Sequence, residues 1–502
     1  MSQPRDAKST RPALRPSGRP ADDRRSFEDP TYALVDDLID REPLVVGADF
    51  GVSEAAAAMT TFGSGYAAVP VDGHHFAILT DADIRAWVAS GKPAASAAAL
   101  SDRGQPCVSL GMSAAEAMIT MLDHEAECVV VVDAAGELRG IVTARDFLVS
   151  PTTAGVSLHQ QLRRASSLDE LRRRAGRLPV TLRDFTRRGL ASSKVIAVHS
   201  SLIDTIVRRT IDLVFLEHGD LDPDVFTWLS LGSNGRREAV LSSDLDAAVA
   251  FDDRLGPEEV DRYRSVMSKI VGELARAGLI SDEHGATPAH RMFARTNEQW
   301  RMAVRQWLAD PAENRGAVLL SLLVDGRPIH GDPGPSTVAQ VFQELRTSPS
   351  ATRILLQQSL ERRARLRSVR ALLSRRQDRF NVKEHALAPI VNLARWAAVS
   401  SGSSALSTIE RLRTASGSAI LPEAQAATLI EIFEVLQRLR LRYQFAQLDA
   451  GEKPTDAVSI DRLSPIDRSV ISQAVREIAA VQRRAANLSM AAPTDAWLEP
   501  PR

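Results

Sequence analysis

Leu231-Gly232-Ser233-Asn234-Gly235-Arg236-Arg237-Glu238, followed by Ser243-Asp244-Leu245-Asp246, is the stretch on which the reading of this chain turns. It joins a turn of small residues to two carboxylates one residue apart. On an extended strand alternate side chains share a face, so Asp244 and Asp246 point the same way while Leu245 faces the core. Two hard oxygen donors on one rigid strand can hold a magnesium ion against substrate phosphates. Gly232-Ser233 carries little side-chain bulk, so its backbone N–H groups can approach those phosphates. The combination points to nucleotidyl transfer.

This arrangement resembles the nucleotidyltransferase superfamily named after DNA polymerase beta. Its protein-PII uridylyltransferase branch has a similar order of turn, Arg, Glu and Asp-x-Asp. The chain is more similar still to a bacterial family of signal-transduction nucleotidyltransferases that carry CBS domains (the cystathionine beta-synthase type). The resemblance implies that Asp244 and Asp246 bind Mg2+ and that Gly232 and Ser233 hold the β and γ phosphates of a nucleoside triphosphate. It implies that Arg236 pairs with phosphate, although Arg237 is equally available by residue type. Glu238 would support the metal site or orient Arg236, and Lys383 would reach the triphosphate. An acceptor hydroxyl, on a protein side chain, a small alcohol or another nucleotide, would displace pyrophosphate. The superfamily often adds a third carboxylate. Asp282, Glu283 and Asp325 are the candidates, each also readable as a solvated acid or a buried ion pair.

The whole chain is consistent with a multidomain soluble protein. It has 502 residues, 25% charged residues and a net charge of -1, which gives no electrostatic case for nucleic-acid binding. No apolar run approaches the roughly 20 residues that span a bilayer, and the N-terminus lacks the apolar core of a signal peptide. Cys107 and Cys128 offer neither a disulfide framework nor a zinc cluster. A cytoplasmic location without membrane attachment is expected. Residues 1–28 are rich in Pro, Arg, Asp and Ser and read as a disordered tail.

An internal repeat occupies residues 29–152. Val52-Ser53-Glu54-Ala55-Ala56-Ala57-Ala58-Met59 leads to Ile78-Leu79-Thr80-Asp81-Ala82-Asp83, and Ser113-Ala114-Ala115-Glu116-Ala117-Met118 leads to Ile141-Val142-Thr143-Ala144-Arg145-Asp146. Each copy runs from an Ala-rich helix through a β-rich run to Thr-x-x-Asp at a new helix. This resembles tandem CBS domains. The resemblance implies that Thr80, Asp83, Thr143 and Asp146 contact an adenine nucleotide, with Asp on ribose hydroxyls and Thr near phosphate. Plain helix capping by the same residues is the competing reading. CBS pairs commonly associate, so a homodimer is expected. His74 and His75 read as exposed turn residues.

Residues 153–219 read as a helical connector. Leu158, Leu162, Leu168 and Leu171 form one stripe, Pro179 breaks that helix, and Lys194 to Glu217 forms another. Asp204-x-x-x-Arg208 permits a helix-surface pair. Residues 220–343 form the transferase core, with strands at Phe226 to Leu231 and Asp244 to Phe251, a helix starting between Asn234 and Val240, and another at Val260 to Ala277. Trp300 and Trp307 are expected to pack in the core. Residues 344–490 read as a helical bundle, and 491–502 as a tail. Asn381-Val382-Lys383, Leu393-Ala394-Arg395 and Leu439-Arg440-Leu441 resemble the family's C-terminal domain. No His-Asp dipeptide accompanies them, so the phosphohydrolase that reverses the PII reaction is not expected. The leading expectation is a magnesium-dependent transferase regulated through its CBS pair. The alternative is a non-catalytic nucleotide sensor on an enzyme-derived fold.

Overall fold

The computed structural model describes residues 34–39, 42–72, 75–91, 96–101, 105–144, 146–149, 153–281, 285–310, 316–331, 349–361, 363–364, 379–418 and 421–491. The expected N-terminal tail, residues 492–502 of the expected C-terminal one, His74, Asp282 and Glu283 lie outside these residues.

Two similar units open the chain. In the first, Val45 bridges Ala68 in parallel fashion. α1 (Val52–Phe62), the antiparallel hairpin β1 (Tyr66–Asp72) and β2 (His75–Thr80), α2 (Asp81–Ser90) and the short α3 (Ala97–Leu100) follow. In the second, β3 (Cys107–Ser109) lies parallel to β4 (Cys128–Val132), with α4 (Ala114–Asp123) between them. β5 (Leu138–Thr143) pairs antiparallel to β4. The helix that leads the second copy starts on a capping box in which Ser113 and Glu116 exchange bonds, while in the first Glu54 reaches back to the Gly51 N–H and glycine offers no side chain in return.

The connector consists of α5 (Thr153–Arg163), α6 (Leu168–Ala175), α7 (Leu178–Arg187) and α8 (Ser192–Leu216). Pro179 therefore does not break a helix. It sits in the first turn of α7, where its missing N–H costs nothing. Asp204 and Arg208 do not form a surface pair either. Asp204 is buried against Arg327, 2.7 Å away, and Arg208 pairs with Glu125 at 2.9 Å.

The central unit holds a four-stranded mixed sheet in the order β8-β7-β6-β9. Its strands are β6 (Phe226–Ser230), β7 (Ala247–Phe251), β8 (Ala294–Thr296) and β9 (Arg327–His330). Its helices are the single turn α9 (Gly232–Gly235), α10 (Pro257–Arg276), α11 (Asn297–Ala309) and α12 (Gly316–Leu323). Period-2 alternation gives the sheet two apolar faces. Phe226, Trp228, Ala247, Val249 and Phe251 enter a core shared with α8, α10 and the second CBS-like copy. Leu229, Ala248 and Ala250 enter a core shared with Trp300, Trp307 and the C-terminal helices. The two Trp rings meet edge to face at 6.4 Å, and Trp300 Nε1 donates to the Val249 carbonyl at 2.9 Å.

The C-terminal unit comprises α13 (Pro349–Glu361), α14 (Ala388–Ser401), α15 (Thr408–Thr414), α16 (Glu423–Asp449) and α17 (Pro465–Ala491). It also carries the strand pair β10 (Arg379–Asn381) and β11 (Ala457–Ser459), which the helical pattern did not announce. No described helix is long and apolar enough to cross a membrane.

Candidate active site

β6 ends at Ser230, and the chain turns sharply through α9. Gly232 has φ +55°, in the left-handed region, and a Cβ there would collide with the Asp246 carboxylate. A Cβ on Gly235 would strike the carbonyls of Asp325 and Ser230. The turn therefore needs both glycines, one to bend and one to lie flat on its neighbour. Arg327 clamps it from outside, donating to the carbonyls of Asn234 (3.1 Å) and Gly235 (3.2 Å). Asn234 is buried and donates to Asp204 and Ser230 Oγ. The N–H groups of a helix's first turn have no partner within the helix, which suits this turn to anionic oxygens. The helix expected to start at Asn234 is instead this single turn over Gly232–Gly235.

Asp244 and Asp246 line one cavity of about 500 Å³ together with Gly232, Ser233, Arg236 and Lys383. Leu245 is buried between them in sequence, as alternation requires. Both acids precede β7 rather than lying on it, because the strand begins at Ala247. Here the backbone bonds elsewhere: the Asp246 carbonyl accepts from Leu231 N–H, Leu245 N–H donates to Ile280, and Ala247 N–H donates to Ala286. The approach to Asp244 is tied down from the C-terminal unit. Ser242 Oγ donates to Asp456 at 2.5 Å, and Arg440 Nε holds the same carboxylate at 2.6 Å.

Burial pushes the Asp246 carboxyl up to about 6; the Asp244 charge adds to the rise, and Lys383 and Arg236 oppose it. A carboxylate so placed gains from a cation. Lys383 supplies part of that charge, its Nζ 3.8 Å from Asp244 Oδ2. The donor set also suits magnesium, which takes one or two carboxylates and completes its shell with water and phosphate oxygens. Among the described residues no group of three or more His, Cys, Asp or Glu is arranged to hold a metal.

Arg236 lies in the cavity wall, buried, with its guanidinium bonded to Glu238 (2.8 Å) and Asp325. Glu238 also accepts from Thr408 N–H at 2.6 Å and Thr408 Oγ1 at 3.0 Å. Glu238 thus orients Arg236 and does not reach toward the two aspartates in any bond described. Asp325 is fully buried and meets Arg236, Arg395 and Arg411, with Arg411 at 2.6 Å. Burial alone would raise its carboxyl, but the three guanidinium groups hold it well below the usual carboxylate range. Asp325 is therefore an ion-pair hub joining the turn to α14 and α15, not a third acid facing Asp244 and Asp246. Arg237 does not line that cavity. It lines a second cavity behind the turn, with Ile196, Ile409 and Phe433, and pairs with Asp123.

Several cavity residues escaped the sequence reading as ligand-facing groups: Glu361 on α13, Asn392 and Arg395 on α14, and Gln437 and Arg440 on α16. Their signal is a polar pair at i,i+3 on a helix whose flanking positions are buried.

At the CBS-like copies, Thr80 N–H and Oγ1 both donate to Asp83 Oδ2, at 2.8 and 2.6 Å. Thr143 N–H and Oγ1 do the same to Asp146 Oδ2, at 2.6 and 2.8 Å. Each Thr-x-x-Asp element is thus a capping unit in this structure. The first opens α2; the second opens only a short 3-10 turn, Asp146–Val149.

Three family models match the chain in the same order as these units. "CBS domain" matches residues 99–150, "Putative nucleotidyltransferase DUF294" matches 176–314, and "Putative nucleotidyltransferase substrate binding domain" matches 349–488. In this order the matches are those of a CBS-domain-containing nucleotidyltransferase family, which this chain resembles. The structure has the same multidomain order: two CBS-like units, a helical connector, a mixed α/β core and a helical C-terminal domain. Among solved structures it is similar to an uncharacterized conserved protein from Pyrococcus horikoshii, at 22% identity over 24% of this chain and 92% of that one, with a TM-score of 0.22. It is also similar to a CBS domain protein from Pyrobaculum aerophilum complexed with AMP, at 22% identity over 24% of this chain and 94% of that one, with a TM-score of 0.22. No curated protein matches.

Proposed function

We propose that this protein transfers a nucleoside monophosphate from a nucleoside triphosphate to an acceptor, with magnesium, and that adenine nucleotide at the CBS pair regulates the transfer. One observation carries this reading: Asp244 and Asp246 share a cavity with the Gly232-Ser233 turn, and Lys383 reaches over them from the substrate-binding domain. The turn would seat the terminal phosphates on its N–H groups, and Lys383 would neutralise their charge as pyrophosphate departs. Magnesium bound at Asp244 and Asp246 would screen the triphosphate and stabilise charge on the leaving oxygens. The acceptor hydroxyl attacks the α phosphorus, forming one P–O bond as the bond to pyrophosphate breaks. With no metal-facing third acid among the described residues, positioning must contribute most of the rate. Glu361, which lines the same cavity, is the carboxylate to test for taking the acceptor proton.

For the sensor, the support is the Thr-x-x-Asp element in both copies. An ionised carboxylate that accepts bonds from its own threonine retains capacity for ribose hydroxyls.

The test is incubation of the purified protein with each labelled nucleoside triphosphate, magnesium and cell extract. Label transfer or pyrophosphate release should fall by at least about a thousandfold in the double variant Asp244→Asn, Asp246→Asn, whose fold should persist. Unchanged release in that variant removes the assignment. Magnesium-dependent nucleotide binding without release, under every acceptor condition, favours the non-catalytic sensor.

A further inference from the structure

We infer that the second CBS copy holds the transferase's phosphate turn in place through Asp123, so that Asp123 and Arg237 are positioning residues for the reaction. This rests on the transferase reading above.

Among the described residues only two other than glycine have positive φ, Glu125 at +51° and Arg237 at +61°. The left-handed region is unfavourable for L side chains and persists where surroundings enforce it. Both residues stand at one junction, where the CBS pair, the connector and the transferase sheet meet. Arg237 is the second residue after the phosphate turn, and its N–H closes on the Asn234 carbonyl at 3.1 Å. Its side chain pairs with Asp123, the last residue of α4. Ser201 of α8 donates to the same carboxylate at 2.5 Å. Both members of the ion pair are largely shielded, at 31% and 15% side-chain exposure, so solvent screens the attraction less than at an open surface.

Glu125 makes the companion link. Its carboxylate pairs with Arg208 at 2.9 Å, Arg208 also donates to the Ile329 carbonyl on β9, and the Glu125 carbonyl accepts from Arg163 of α5 at 2.9 Å. One three-residue corner of the CBS fold therefore grips the turn that would seat phosphate and the edge strand beside it. That corner runs directly into β4, whose first residue, Cys128, lies opposite Thr143 in the sheet register. Thr143 carries the bonds to Asp146. A rearrangement of the Thr143–Asp146 element has only this strand end to cross before it reaches Asp123. Arg327 and Asp204 hold the far side of the turn and give it a fixed point to move against. The paired carboxylate thus belongs to the sensor, while the backbone it fixes belongs to the transferase.

The experiment uses the full chain with Asp123→Asn, Arg237→Asp and the reversed pair Asp123→Arg with Arg237→Asp. Affinity for each magnesium nucleoside triphosphate is measured by calorimetry, and exchange of the amides at 232–237 by mass spectrometry. Each single change should weaken triphosphate affinity about tenfold, near the middle of the range for coupled neighbours, and speed exchange at 232–237. The reversed pair should recover much of both, and AMP affinity at the CBS pair should stay as in the parent. Singles that exchange like the parent, or a folded reversed pair that recovers nothing, overturn the inference. If the parent binds no triphosphate, the transferase reading fails by itself, and the exchange result still decides whether Asp123 governs the turn.

Discussion

The two CBS copies follow the same chain path but are anchored differently. The first keeps a small core of its own, built from Val46, Ala55, Met59, Ala67, Val69, Ala77, Leu79 and Ala97. Its α2 buries no residue, and Val88 on that helix is 65% exposed. It meets its twin through Ala68 and Ile78 against Cys128 and Val130. The second copy sends Met118, Met121 and Leu122 of α4 into a core continuous with Ile206 of α8 and Trp228 of the sheet. The difference begins in composition. α1 buries Val52, Ala55 and Met59, whereas α4 buries the three large apolar groups Met118, Met121 and Leu122 as well as three alanines. The second copy is thus part of the foundation of the α/β core, and among the described residues the first copy touches that core only through the second.

The strongest way to break this contrast is a matched pair of core truncations. Met118→Ala should cost about 2–5 kcal/mol and lower the unfolding of the second copy, connector and sheet together. Met59→Ala should loosen only the first copy, seen as faster amide exchange confined to 45–90. Equal loss of transferase protection in both variants would erase the distinction. A smaller effect concerns Asp246. Its folded carboxyl titrates near 6, above the roughly 3.9 of an unfolded chain, so metal-free stability rises as pH falls through that window, and the ionised form is a burden above it. Asp246→Asn should therefore raise metal-free stability at pH 8 by on the order of 1–3 kcal/mol in the joint unit, without altering exchange in the first copy. Thermal unfolding in chelator, with and without added magnesium, measures both parts.

The sensor elements offer a finer comparison. Asp83→Asn and Asp146→Asn should each reduce AMP affinity about tenfold at their own copy, one good charged hydrogen bond's worth. Only the Asp146 change should also shift triphosphate affinity, and calorimetry of each variant against both ligands reads the asymmetry. The weakest handle is Lys194, whose pair with Glu116 joins α8 to α4 at the surface. Lys194→Ala should change stability by no more than about 1 kcal/mol, as exposed pairs do; a larger shift in chemical unfolding would mean the joint is held by charge rather than by its apolar core.

Much of the site was legible because its constraints are local. Gly232 bends where the motif needs a bend, Asp244 and Asp246 share a cavity, and Leu245 turns inward. The repeat showed because both copies reuse one helix-start chemistry. What stayed hidden depends on partners far along the chain. Asp325 looks like any acid until Arg236, Arg395 and Arg411 converge on it. Arg236 and Arg237 are adjacent and alike in sequence, and only tertiary packing sends one to Glu238 and the other to Asp123. Asn392 and Gln437 gave no signal, because an apolar stripe does not reveal which polar residues border a cleft. β10 and β11, three residues each, are too short for a period to register.

β6 and β7 present one side chain to each core in turn, with Trp228 in the core of the second CBS-like copy and Leu229 in the core of the C-terminal helices, although Leu441 and Phe445 of α16 also reach the former. A single layer of backbone therefore lies between the two cores. Because close-packed interiors yield little, a strand displaced from one side must displace what leans on the other. Engineering either core in isolation will consequently retune its neighbour, and the most faithful chimaeras should be cut between the two CBS copies, where the fewest interlocked groups change hands.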